Sequence, residues 1–143
     1  MVMNYENDFY TWTQQQAHLL RSHQFAELDV ENLIEELESM GRSEKRAVTS
    51  RLTVLLMHLL KWRFQVDRRS TSWRLTIQHQ RLKFHQIIRD NPGLKPQLAA
   101  IYLDAYQDAI FQAAQETGLP VELFPTESPW QLTEVISDNF YPE

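Results

Sequence analysis

The residues best suited to chemistry lie in the string Asp67, Arg68, Arg69, Ser70, Thr71, Ser72, Trp73, where hydroxyl side chains stand beside arginines ahead of a helix-forming run. A helix start presents unpaired amides and the positive end of the backbone dipole, so with Arg68, Arg69 and Arg74 alongside it is a candidate anion site. The plainer expectation is that Ser70, Thr71 or Ser72 caps the helix, while the arginines cover apolar surface or pair with acids. Further along the same helix, Arg74, Arg81 and Arg89 fall on one face with Gln78 and His85 between them. That polar stripe is able to meet phosphates. It holds no aromatic residue, so nucleic-acid binding through it would be directed at the backbone and sensitive to salt.

His58 lies inside an apolar run, with Val54 one turn before it and Trp62 one turn after. A core histidine bonded to a nearby carbonyl or carboxylate is the expected reading. Glu31, Glu35 and Glu38 share a flank of the preceding helical segment, and Glu35 beside His58 is the one thin route to a metal site. Against it, the chain has no Glu-x-x-His pair and no two histidines at i and i+4, the spacings that carry metals on helices. No cofactor is expected. The chain has no cysteine, which removes thiolate ligands and thiol nucleophiles. It has no Gly-rich phosphate loop and no nucleophile elbow. No catalytic residue is assigned, and enzymatic activity is not expected.

Net charge is −5, but the charges are segregated. Residues 1–41 hold eight acids against Arg21 alone, residues 42–95 hold thirteen Lys or Arg against Glu44, Asp67 and Asp90, and residues 96–143 hold eight acids and no base. A basic middle therefore sits between acidic flanks. If acidic helices pack beside basic ones, the charges act as labels for which helix neighbours which, since exposed pairs contribute only about 0–1 kcal/mol each. If the basic set stays uncovered, it attracts an anionic partner.

The elements that would position these residues are helices. With three glycines and all six prolines at or beyond Pro92, the first ninety residues contain one obvious breaker, Gly41. A first helix is expected from Asn7 or Asp8 to about Ser22, with Phe9, Trp12, Leu19 and Leu20 toward the core. A second starts from Asp29, carries Val30, Leu33, Ile34, Leu37 and Met40 at helical spacing, and stops at Gly41. A third, central helix starts from Ser43 with the stripe Val48, Leu52, Leu55, Leu59, Trp62 and Val66, widened by Leu56 and Leu60. A fourth carries Trp73, Ile77, Phe84 and Ile88 and closes at Asn91, Pro92 and Gly93. A fifth has Pro96 in its first turn and ends at Gly118. An extended connector and a short last helix capped by Ser128 and Pro129 follow, with Leu132, Val135 and Ile136 inward and Phe140 and Tyr141 docking the tail. No alternating run predicts a strand and no internal repeat is present. The expected architecture is all-α, a compact bundle of five to six helices in a single domain over residues 1–143.

The apolar run at residues 54–60 is interrupted by His58 and is too short for a bilayer, and the acidic start of the chain does not read as a leader or anchor. A cytoplasmic protein without membrane contact is expected.

The stretches YENDFYTWTQQQAHLLR, LDVENLIEELESMGRSEKR, LTVLLMHLLKWRFQ, RRSTSWRLTIQHQR, ETGLPVELFP and NFYPE together resemble a bacterial family of unknown function, abundant in cyanobacteria and numbered twenty-nine among uncharacterised domains. The resemblance covers nearly the whole chain. It implies an all-helical fold and carries no activity, cofactor or site residue with it. One departure is Val66, where the family pattern has Pro, which predicts that the central helix runs a little further here. Two functions are therefore expected: a non-catalytic helical domain that binds a protein partner or itself as a homo-oligomer, and, as the alternative, an anion or nucleic-acid backbone binder working through Arg68, Arg69, Ser70, Ser72, Arg74, Arg81 and Arg89.

Overall fold

The structure, a computed structural model, describes residues 5–143. Residues 1–4, part of the stretch that argues against a leader, lie outside the described residues. Five α-helices are present among the described residues and no strand, so the all-α expectation holds. The chain divides into two compact units, one ending at Arg42 and the other spanning Ser43–Glu143.

The first unit is a helical hairpin. Helix α1, Phe9–Arg21, starts where Asp8 accepts hydrogen bonds from the Thr11 amide at 3.0 Å and the Thr11 hydroxyl at 2.8 Å. These bonds hold the Asp8 carboxyl below the usual carboxylate range, the amide bond contributing most. After Ser22 the chain turns through His23, whose φ of 61° is left-handed, and a 3-10 turn, Phe25–Glu27. The two arms are clasped by polar groups. Asp29 accepts from Asn32 at 2.8 Å and from the Trp12 indole at 2.9 Å, and its own amide donates to Gln16 at 2.8 Å. Trp12 and Gln16 are the buried residues of α1.

Helix α2 is Val30–Phe64, 35 residues long, so the stop expected at Gly41 does not occur and the expected second and third helices are one. The physical reason is that a single interior glycine costs a helix only about 1 kcal/mol, while the residues around it are strong helix formers. Arg42 also reaches back over the position, to Glu35 at 2.9 Å and Glu38 at 4.0 Å. Residues 37–46 are exposed at every position, and nothing stands within 4 Å of where a Gly41 Cβ would lie.

The second unit holds the core. Val48, Leu52, Leu55, Leu56, Leu59, Leu60 and Trp62 of α2 are buried. They meet Ile77, Phe84 and Ile88 of α3, Thr71–Asp90, and Ile101, Ala105, Ala109 and Ala113 of α4, Leu98–Thr117. The alanines recur every fourth residue, and a face without bulk lets neighbouring side chains approach closely. Val66 departs from the expected stripe: α2 stops at Phe64, and Val66 opens a 3-10 turn with 56 % of its surface exposed. Pro96 lies in a 3-10 segment, Pro92–Gln97, ahead of α4 rather than in its first turn. The connector contains a 3-10 turn, Val121–Leu123. The short helix α5, Leu132–Val135, is capped by Gln131 and Glu134 in a reciprocal box, not by Ser128. The Ser128 hydroxyl instead accepts from the Trp130 amide and pairs with the Tyr102 hydroxyl.

The glycines give a paired test. Gly118 ends α4 with φ of 73°, a conformation that penalises any Cβ, so Gly118→Ala should lower stability by about 1 kcal/mol. Gly41 is ordinary helix in open space, so Gly41→Ala should raise helicity and the local protection of amides 37–46 by a similar amount, roughly 0.5–1 kcal/mol. Urea unfolding and amide hydrogen exchange read both. A loss of protection in Gly41→Ala would refute the continuous helix.

Candidate functional site

The start of α3 forms as the hydroxyl-rich string suggests. Ser70 is the N-cap, its hydroxyl oxygen accepting from the Trp73 amide at 3.2 Å. Trp62, Arg69, Ser70, Thr71 and Arg74 line an open depression of about 390 Å³. The arginines here are held by aromatic faces. The Arg69 guanidinium lies 4.9 Å from the Trp62 ring centre, and Arg74 lies 5.1 Å from Trp62 and 4.7 Å from Tyr141. Such contacts contribute roughly 0.5–1 kcal/mol at exposed sites. Arg69 is further committed, donating to the Trp62 carbonyl at 2.8 Å and to the Pro142 carbonyl at 3.5 Å. Arg68 and Ser72 are exposed and do not line the depression.

The expected polar stripe does not survive packing. Arg81 is 0 % exposed and is spent on the C-terminal segment: its guanidinium donates to the carbonyls of Val135 at 2.8 Å, Asp138 at 3.3 Å and Phe140 at 2.6 Å. Burial pulls its pKa down. His85 contacts the Ile136 carbonyl at 2.9 Å. Arg89, at the far end of α3, is exposed and pairs with Asp90 at 3.2 Å. The stripe is thus divided into a buried clamp, a remote ion pair and Arg74.

His58 contacts the Val54 carbonyl through Nδ1 at 2.9 Å, and Glu35 is bound to Arg42. Among the described residues, no group of three or more His, Asp or Glu is placed to hold a metal ion. Burial pushes the His58 pKa below its ordinary value of 6.5, so the imidazole favours the neutral state in the fold.

The feature that sequence reasoning missed is in the first unit. Phe9, Trp12, Leu20, Leu33, Leu37 and Met40 line an apolar groove of about 310 Å³ between α1 and the start of α2. The periodicity of these residues was legible, but it predicts core, and here Leu37 is 66 % and Met40 65 % exposed. Phe9, Leu20, Val30 and Ile34 are also exposed by about half. The signal available in the sequence was length: two short helical arms have too little surface between them to cover two apolar stripes. Glu36, also on the groove wall, is bonded by the Tyr5 hydroxyl, and that bond is the main cause raising the Tyr5 pKa to about 12.

Fold and sites together define an all-helical protein with a solvent-open apolar groove on one unit and an arginine-lined depression on the other. No helix among the described residues is long and apolar enough to cross a membrane. The chain matches the family described as Domain of unknown function DUF29 over residues 4–141, and it belongs to that family. No curated protein and no solved structure matches it.

Two substitutions check these assignments. Arg81→Met leaves three carbonyls without their donor, and unfolding in urea should show a loss of about 3 kcal/mol. Arg81→Lys should recover little of it, because an ammonium lacks the planar fork. Stability unchanged in Arg81→Met would mean the guanidinium holds nothing. His58 has a lower pKa folded than unfolded, so between those values the unfolded chain binds the extra proton and stability falls as pH drops below about 6.5. In His58→Gln that part of the fall below about pH 6.5 should vanish from the urea midpoints; an unchanged profile would contradict the assignment.

Proposed function

We propose that this chain is a non-catalytic interaction domain whose first unit receives an amphipathic helix of a protein partner. The observation that carries this reading is the groove bounded by Phe9, Leu20, Leu33, Leu37 and Met40 on a hairpin of two arms among the described residues, with Leu37 and Met40 largely exposed. Burying one exposed leucine or methionine side chain contributes about 1.5–3 kcal/mol, so a few anchors at helical spacing suffice for a specific contact. Charge defines the partner. Residues 1–42 carry eight acids against Arg21 and Arg42, and Arg42 is already paired with Glu35 and Glu38. A helix that enters this groove is basic on its flanks.

Calorimetry with two synthetic helical peptides tests the reading. Both carry leucines at helical spacing, one with lysine and the other with glutamate at the remaining positions. The lysine peptide should bind, more weakly in salt, and lose about tenfold or more in affinity to Leu37→Gln/Met40→Gln; the glutamate peptide should not bind. Equal binding of the lysine peptide to variant and wild type would show attraction to acidic surface alone and would sink the groove reading.

A further inference from the structure

We infer that the helix seated in this groove belongs to a second copy of the chain: the outward face of its α3. This rests on the interaction reading above and names the occupant. The second unit leaves Val66, Leu75, Leu82, Leu103, Phe111 and Leu123 exposed, and charge separates them. Leu103 and Phe111 stand on α4, whose charged residues are Asp104, Asp108 and Glu116 with no base. That ridge would bring like charge to the acidic first unit. Leu75 and Leu82, 59 % and 54 % exposed, stand two turns apart on α3. The α3 charges outside the core are Arg74, Lys83 and Arg89 against Asp90.

Spacing and charge both fit. Seven residues along a helix span about 10.5 Å, and the groove wall on α2 runs over the same interval, from Leu33 to Met40. Two leucines on one helix therefore meet the groove over its two turns, as helix-in-groove contacts require. The basic charge is also left available. Among the described residues, the one ion pair that joins the basic middle to the acidic C-terminal third is Lys61 with Glu116, at 3.5 Å. No carboxylate pairs with Arg74 or Lys83 there. A groove-to-groove contact is disfavoured, because it would press two acidic hairpins together without added cations. Groove against α3 is a heterologous contact, and each copy offers both halves.

The full chain, measured by light scattering across concentration, tests this. Wild type should rise from the monomer mass of 17.0 kDa to at least twice that, and less so at about 0.5 M salt than at about 0.1 M. Leu37→Gln/Met40→Gln removes the groove anchors and Leu75→Gln/Leu82→Gln the ridge. All four side chains are mostly exposed, and circular dichroism confirms that the variants remain helical. Each variant alone should stay monomeric. Mixed in equal amounts they should form a complex again, because the ridge of one meets the groove of the other. A wild type that is monomeric throughout, a ridge variant that still associates, or a mixture that stays monomeric overturns the inference. If wild type is monomeric yet binds the lysine peptide in the groove, the occupant is another protein's basic helix and only this inference falls; if the peptide fails as well, the interaction reading falls with it.

Discussion

Irregular backbone can lie against a helical core only if its carbonyls are bonded, and in the second unit one buried cation meets that condition for three of them. Arg81 donates to the carbonyls of Val135, Asp138 and Phe140. A guanidinium suits this work, since its five donors sit in a fixed plane and it is more weakly hydrated than an ammonium. The segment so held then supplies Val135, Phe140 and Tyr141 to the core and its edge. Tyr141 in turn lies 5.0 Å from Trp62 and under Arg74. One wall of the depression at the start of α3, Arg74, thus rests on a ring that the clamped segment supplies.

Helix α4 repeats the solution with neutral donors. Tyr102 donates to the Trp130 carbonyl at 2.8 Å, Tyr106 to the Pro125 carbonyl at 2.6 Å and Gln107 to the Thr126 carbonyl at 3.2 Å. Burial drives the Tyr106 pKa up to about 12, so the phenol keeps the proton it donates. Side chains of two helices thus bond the carbonyls of Pro125, Thr126, Trp130, Val135, Asp138 and Phe140, supplementing the few backbone bonds that α5 and its flanking turns make. Charge segregation has little part in this. The basic middle is organised around carbonyls and aromatic faces, with Lys61 both 3.5 Å from Glu116 and 4.7 Å from the Trp73 ring.

Much of this was legible in the sequence where the cause is local. Asp8 and Ser70 cap their helices, Asn91 and Gly118 end theirs, and the stripes of Val48 to Trp62 and of Ile77, Phe84 and Ile88 are buried. What failed depends on partners that a residue string does not show. Gly41 reads as a stop until the helix formers around it are weighed against its small cost. Arg81 reads as surface, because its partners are main-chain carbonyls more than fifty residues away, with no acidic side chain to announce them. The stripe of Leu33, Leu37 and Met40 has the period of a core face, and period alone cannot say what covers it.

What covers that stripe decides what the first unit can bind. An apolar stripe is placed in a core by the number of other stripes within reach, and among the described residues the first unit has two arms. Its cohesion comes from the Trp12, Gln16 and Asp29 clasp, whose polar groups fix how the arms cross without covering their outer rows. The acidic balance of this unit, eight carboxylates against Arg21 and Arg42, discourages contact with its own like, since like-charged units repel as they approach. On the proposal above such a surface is selective by sign and takes an apolar ridge with cations at its edges, the character that α3 has with Leu75 and Leu82 beside Arg74 and Lys83.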